Sequence, residues 1–301
     1  MDLSVDLAGI RLKNPVIAAS GVFGYGREYS RVGDISWFGA VCVKGTTLSP
    51  RQGNPPPRVV ETPSGMLNAI GLENPGARVV ADEMIPWLAQ FGVPIFVNVA
   101  GESTQEFSEL GSIFRDTPGV FGLEVNVSCP NVRAGGLAFG LDPRSCFRAV
   151  MAAKKAFKGP VIAKLTPNVH DIASVARAAA EGGADAISLI NTLLGMAIDI
   201  KTKRPVLGNV TGGLSGPAIK PVALRCVYQV SQAVSVPVIG MGGIASWEDA
   251  LEFILAGATA VSVGSSLLVE PGIPQRITEG LLRYGEAQGL SDLSSLIGEA
   301  W

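Results

Sequence analysis

Eight short β-rich apolar runs recur along this sequence with helical patterns between most of them, and that alternation limits the fold more than any other feature. The runs cover residues 16–19, 40–43, 95–99, 122–127, 161–165, 186–190, 238–240 and 260–263. Helical periodicity appears over 76–91, 104–114, 143–157, 172–182, 217–234 and 247–256. Strands that alternate with helices imply βα units and a parallel sheet. Ser246, ahead of Trp247-Glu248-Asp249, reads as an N-cap with acids in the first turn. Glycines at Gly182-Gly183 and Gly257 read as helix ends. Residues 3–12 alternate around Ala8-Gly9, which predicts a small hairpin closing the bottom of a barrel. The chain has 301 residues and no linker or low-complexity segment. The expected fold is therefore α/β, a (β/α)8 TIM barrel in a single domain spanning 1–301, with a doubly wound open sheet as the alternative.

Composition narrows the function. Charged residues make up 17% and apolar residues 47%, which suits parallel strands covered on both faces. Net charge is -2 and no basic run occurs, so neither nucleic acid nor an anionic membrane is an expected partner. The longest uncharged apolar stretch, roughly 253–269, is broken by Gly257, Gly264 and serines and reads as helix, turn and strand. The N-terminus carries Asp2 and Asp6 and lacks a basic-then-apolar layout, which leads to an expected cytoplasmic location. Four cysteines (Cys42, Cys129, Cys146 and Cys226) lie far apart without a C-x-x-C pair, so neither a disulfide scaffold nor a metal site is expected. His170 is the only histidine. It lies near a helix start and is read as partly exposed and non-catalytic.

Polar residues gather where strands end. Ser20 follows strand 1, Lys44 follows strand 2, and Asn98 closes strand 3. Asn126 and Cys129 come at strand 4, Lys164 at strand 5, and Asn191-Thr192 at strand 6. In a barrel these positions meet at the C-terminal face, where active sites lie. Two long connections, 45–75 and 191–216, rise from the same face. After strands 7 and 8, Gly242-Gly243 and Gly264-Ser265 allow an anion to approach the backbone, and the helix start after Ser246 offers free N–H groups. A pair of tight turns without ligand is the bland reading. In Asn126-Val127-Ser128-Cys129-Pro130-Asn131-Val132 the proline biases Cys129 towards an extended backbone. The Ala134-Gly135-Gly136 stretch that follows has the composition of a lid. Cys42 reads as a small buried hydrophobe, and Cys146 and Cys226 as structural residues of helices.

Several long motifs stand in order along the whole chain: NAIGLENPG (68–76), NVSCPNV (126–132) followed by RAGG, KLTPNV (164–169), GGLSGPAIKP (212–221), GMGGI (240–244) and VGSS (263–266). On these the sequence resembles the dihydroorotate dehydrogenases, specifically the NAD-linked class 1B catalytic subunits. The membrane-linked class 2 enzymes of the family carry serine as base where Cys129 stands here.

The resemblance implies oxidation of (S)-dihydroorotate to orotate in de novo pyrimidine (UMP) biosynthesis, with one FMN per chain. Cys129 would remove the C5 proton while hydride leaves C6 for the flavin. FMN would lie among Ser20, Lys44, Gly45, Asn98, Asn126, Lys164, Ile190 and Gly216, with its phosphate on Gly242, Gly243, Gly264 and Ser265. Many relatives are expected to have threonine in place of Ser265, and a hydroxyl donor is retained. Orotate would be held by Lys44, Asn68, Ala69, Ile70, Gly71, Leu72, Asn126, Asn191 and Thr192. Amides suit a ring with alternating C=O and N–H edges, because they donate and accept. The resemblance also implies a homodimer of this chain and a partner subunit carrying FAD and a 2Fe–2S cluster, two of each forming a heterotetramer. A fumarate-linked class 1A enzyme, a dihydropyrimidine dehydrogenase-like enzyme, a Schiff-base aldolase using Lys164, and a non-catalytic phosphate-binding barrel are the competing readings.

Overall fold

The computed structural model describes residues 1–127 and 139–301. Eight parallel strands close into a barrel in sequence order: β1 (Val16–Ala18), β2 (Ala40–Thr46), β3 (Ile95–Val99), β4 (Val120–Asn126), β5 (Val161–Lys164), β6 (Ala186–Leu189), β7 (Val238–Met241) and β8 (Ala260–Val263). β8 pairs with β1, so the sheet has no edge and the open-sheet alternative is excluded. Every expected strand is one of these eight, with ends displaced by a few residues. β2 departs most, running on to Thr46 through an irregularity in its pairing with β3 between Val43 and Thr46. Bulges of this kind re-aim side chains, and this one holds Lys44 and Gly45.

The outer helices form for legible reasons. Thr104–Arg115 buries Phe107, Leu110, Gly111 and Phe114, a stripe at three- and four-residue spacing. Ser103, Asp142, Asp171 and Ser246 each accept a hydrogen bond from the N–H three residues on, closing the first turns of four helices. The helix expected over 76–91 is less regular. It contains a π-helical turn at Val80–Met84, because Pro86 has no N–H to return to the carbonyl of residue 82. Ile273–Gln288, a 16-residue helix packed against Trp247–Leu255, was not among the expected elements. The hairpin at the N-terminus is present: Val5–Leu7 pairs with Ile10–Leu12 across Ala8 and Gly9, both at positive φ. Leu7 and Leu12 are buried in the main core at the entrance to β1.

The two long connections are not loops. Leu193–Gly195 and Gly212–Ser215 from one, with Gly65–Asn68 and Val59–Thr62 from the other, build a four-stranded antiparallel sheet. Leu67, Ala69 and Leu207 form a small core of its own beneath it. Gly216 ends this sheet at φ +99, and a Cβ there would stand 2.6 Å from the Cα of Gly65. Gly216→Ala is therefore expected to lower stability by more than about 1 kcal/mol, because strain and clash act together. Equilibrium urea unfolding of the two proteins measures it.

Candidate active site

The strand ends and the antiparallel sheet enclose a cavity of about 1270 Å³. Every expected cofactor or substrate residue in the described part of the chain lines it. Ser20 opens a short helical turn after β1. Lys44 and Gly45 come from the β2 irregularity, Asn98 from β3, Asn126 from β4 and Lys164 from the end of β5. Ile190, Asn191 and Thr192 follow β6. Asn68, Ala69, Ile70, Gly71, Leu72 and Gly216 come from the antiparallel sheet and its connections. Gly242, Gly243, Gly264 and Ser265 follow β7 and β8. Cys129 and the Ala134-Gly135-Gly136 stretch lie outside the described residues. His170 is exposed and is not part of the cavity wall.

The cavity floor is a buried polar layer, where barrels of this kind usually place branched apolar side chains. Its centre is Glu124, which the sequence reading missed. Gly122, Glu124 and Asn126 alternate along β4 and so share one face of the strand, the one that lines the cavity at Asn126. A carboxylate between Leu123 and Val125 was the signal available. Glu124 Oε2 accepts from Asn98 Nδ2 at 2.5 Å, from Lys164 Nζ at 3.3 Å and from Cys42 Sγ at 3.3 Å. Ser188 Oγ donates to Oε1 at 2.8 Å. Burial alone would raise this carboxyl, but Lys164, with the hydrogen bonds from Asn98, Ser188 and Cys42, holds it below its ordinary value. Lys164 Nζ also donates to Ser20 Oγ at 3.2 Å, so two of its three donors are engaged. Cys42 is thus more than a buried hydrophobe: its thiol is a donor to Glu124, and burial, then the Glu124 charge, keeps it well above the usual thiol range. Cys146 and Cys226 are buried in helices, as expected, and burial pushes the Cys146 thiol up to about 12.

The wall opposite is built differently. Among the described residues no carboxylate lies within ion-pair distance of Lys44, so its ammonium faces the cavity uncompensated. The Asn68–Leu72 stretch is tied down by two asparagines. Asn54 Nδ2 donates to the Ala69 carbonyl at 3.0 Å. Buried Asn74 accepts from the Thr47 and Gly76 N–H groups and donates to Thr47 Oγ1 and the Leu72 carbonyl. These bonds hold Leu72 at φ 56, a conformation leucine rarely adopts. Asn74→Ala strands two backbone donors and is expected to cost about 1–3 kcal/mol, read as a lower urea midpoint. Asn168, also unforeseen, joins the β5 and β6 connections by donating to the Thr192 carbonyl and accepting from the Leu194 N–H.

One electrostatic expectation holds only in part. The helix start after Ser246 offers fewer free N–H groups than expected, because Asp249 accepts from the Ala245 and Ser246 N–H groups and Ser246 Oγ from that of Asp249, which leaves those of Trp247 and Glu248. This capping box takes up part of the donor set of the helix start. The room for an anion lies earlier, at Gly242 (φ +126) and Gly243 (φ +77). A Cβ on either would meet Ala223 or Lys220 at 2.8 Å, so both positions require glycine.

Likeness to known proteins decides the family. The model of the family described as dihydroorotate dehydrogenase matches residues 2–284. The chain belongs to that family. Among its relatives, proteins named dihydroorotate dehydrogenase B (NAD(+)), catalytic subunit, from Pelobacter propionicus and Geotalea uraniireducens are 54% and 52% identical over 297 residues. Those alignments cover 99% of this chain and 98% and 97% of the relatives. A protein of the same name from Thermoanaerobacter pseudethanolicus is 51% identical over 298 residues, 99% of this chain and 98% of its own. Among the described residues no helix is long and apolar enough to cross a membrane, and no group of three or more His, Cys, Asp or Glu is placed to hold a metal.

Proposed function

We propose that this chain is the catalytic subunit of an NAD-linked dihydroorotate dehydrogenase, a single FMN-binding barrel domain that oxidises (S)-dihydroorotate to orotate in pyrimidine biosynthesis. The observation that carries the reading is the meeting of Lys44, Lys164 and the amides of Asn68, Asn98, Asn126 and Asn191 around one cavity at the barrel mouth, in a chain of this family. The cavity fits the cofactor: about 1270 Å³ exceeds the usual range for small-molecule sites and admits a flavin with a substrate beside it. Gly242, Gly243, Gly264 and Ser265 would hold the phosphate, and Ser20, Gly45, Asn98, Lys164, Ile190 and Gly216 the remainder of FMN. Bound FMN supplies the two-electron acceptor for the hydride that leaves C6 of dihydroorotate.

The chain's own residues do the rest. Cys129 takes the C5 proton, for which it must be thiolate. The uncompensated ammonium of Lys44 suits the substrate carboxylate, and Asn68, Asn126, Asn191 and Thr192, with the 69–72 backbone, suit the ring edges. The names of the relatives favour NAD⁺ over fumarate as final acceptor, and a separate partner subunit. FAD and 2Fe–2S on that partner, a heterotetramer of two of each built on a homodimer of this chain, and a cytoplasmic location complete the proposal. The Schiff-base reading finds the Lys164 ammonium engaged by Glu124 and Ser20, so no observation favours it.

Anaerobic addition of dihydroorotate to the purified yellow chain tests the proposal. Flavin absorption is expected to bleach with dihydroorotate and not with dihydrouracil. A colourless chain, or one bleached by dihydrouracil alone, refutes it.

A further inference from the structure

Glu124 has no step in the reaction above, yet it is the most heavily hydrogen-bonded side chain of the floor. A buried ion pair is rarely kept for stability, since apolar side chains of similar volume usually serve as well. The arrangement is also one-sided. Lys164 lines the cavity whereas Glu124 does not, so the ammonium is presented to a ligand while its counter-charge stands behind it at 3.3 Å. Both side chains are almost wholly buried, at 7% and 5% exposure, where charges act on one another with little screening. Asn98, Ser188 and Cys42 fix the carboxylate from three further strands.

Resting on the flavin reading, we propose that Glu124 is a positioning residue that locks Lys164 in place and tempers its charge, so lowering the electron affinity of the flavin bound above it. An ammonium alone would stabilise the negative charge a flavin gains on reduction. A carboxylate directly behind it cancels much of that field. Electrons destined for NAD⁺, a weak oxidant, must not be held too tightly, and the pair sets that balance.

The test is the midpoint potential of the flavin in the full chain, by anaerobic spectroelectrochemical titration of wild type, Glu124→Gln, Glu124→Asp and Ser188→Ala. Glu124→Gln is expected to favour reduced over oxidised flavin at least tenfold more than wild type, a positive shift of about 30 mV for a two-electron couple. Glu124→Asp keeps the charge and is expected to stay near wild type. Ser188 does not line the cavity, and its loss removes a donor dipole from the carboxylate. Ser188→Ala is therefore expected to shift the potential negatively, and it decides the matter if Glu124→Gln does not fold. Unmoved potentials in Glu124→Gln and Ser188→Ala overturn the inference while leaving the flavin reading intact. A wild-type chain without flavin overturns both.

Discussion

Replacing Cys129 by alanine is expected to leave flavin bound and to slow its reduction by dihydroorotate about 10²–10⁴-fold at neutral pH, the range that a positioned general base contributes. The reason is chemical. The proton at C5 is weakly acidic, and no histidine can take it, since His170 is the only one and stands outside the cavity wall. Among the described residues no carboxylate lines the cavity, and Glu124, beneath its floor, is occupied by Lys164, Asn98, Ser188 and Cys42. Cys129 follows β4 by three residues in the sequence and is the base proposed on the likeness to this family. A free thiol titrates at about 8.5, so wild-type reduction should accelerate as pH rises through that region and then level off. Cys129→Ser, with a far weaker acid in place, should keep rising beyond it. Stopped-flow absorbance across the pH range separates the variants, and an unchanged rate in Cys129→Ala removes the assignment.

The second large effect is expected from Lys164→Met. It leaves Glu124 buried without its counter-charge, and breaking one side of such a pair lowers stability by about 3–5 kcal/mol. The pH dependence carries a sign. In the wild type Glu124 is held below its ordinary value near 4.5, burial being outweighed by Lys164 and the hydrogen bonds. Its contribution to stability is thus present above that pH and is lost as pH falls through the lowered value. Without Lys164 burial dominates and the folded carboxyl rises above the unfolded one. The variant then loses stability from this group as pH increases. The gap between the two proteins should therefore be small near about pH 4 and widen towards about pH 7, read from guanidinium unfolding midpoints. A gap independent of pH would mean that the pair is not ionised as described.

How much of this was legible beforehand depended on which forces were local. All eight barrel strands and most outer helices could be read because apolar periodicity and caps such as Ser103 and Ser246 are written within a few residues. Lys44, Asn98, Asn126 and Lys164 could be placed at one rim because a parallel barrel aligns every strand end on one face. What escaped was non-local. The antiparallel sheet pairs Asn68 with Gly213, 145 residues away, and short Gly-rich strands carry little pattern of their own. Glu124 looked like an isolated charge because its partners Asn98, Lys164 and Ser188 come from three other strands. The engagement of the Ala245 and Ser246 N–H groups turned on which way Asp249 points, a choice sequence does not state. The motifs gave the family; geometry alone showed what stands behind Lys164.

The most direct measurement is a crystal structure of the chain grown with orotate. The account predicts FMN in the barrel mouth with its phosphate against Gly242–Gly243 and Gly264–Ser265, its pyrimidine edge on Lys164, and orotate on Lys44 with Cys129 Sγ within about 3–3.5 Å of C5. Orotate bound elsewhere, or a cysteine thiol remote from that carbon, would contradict it.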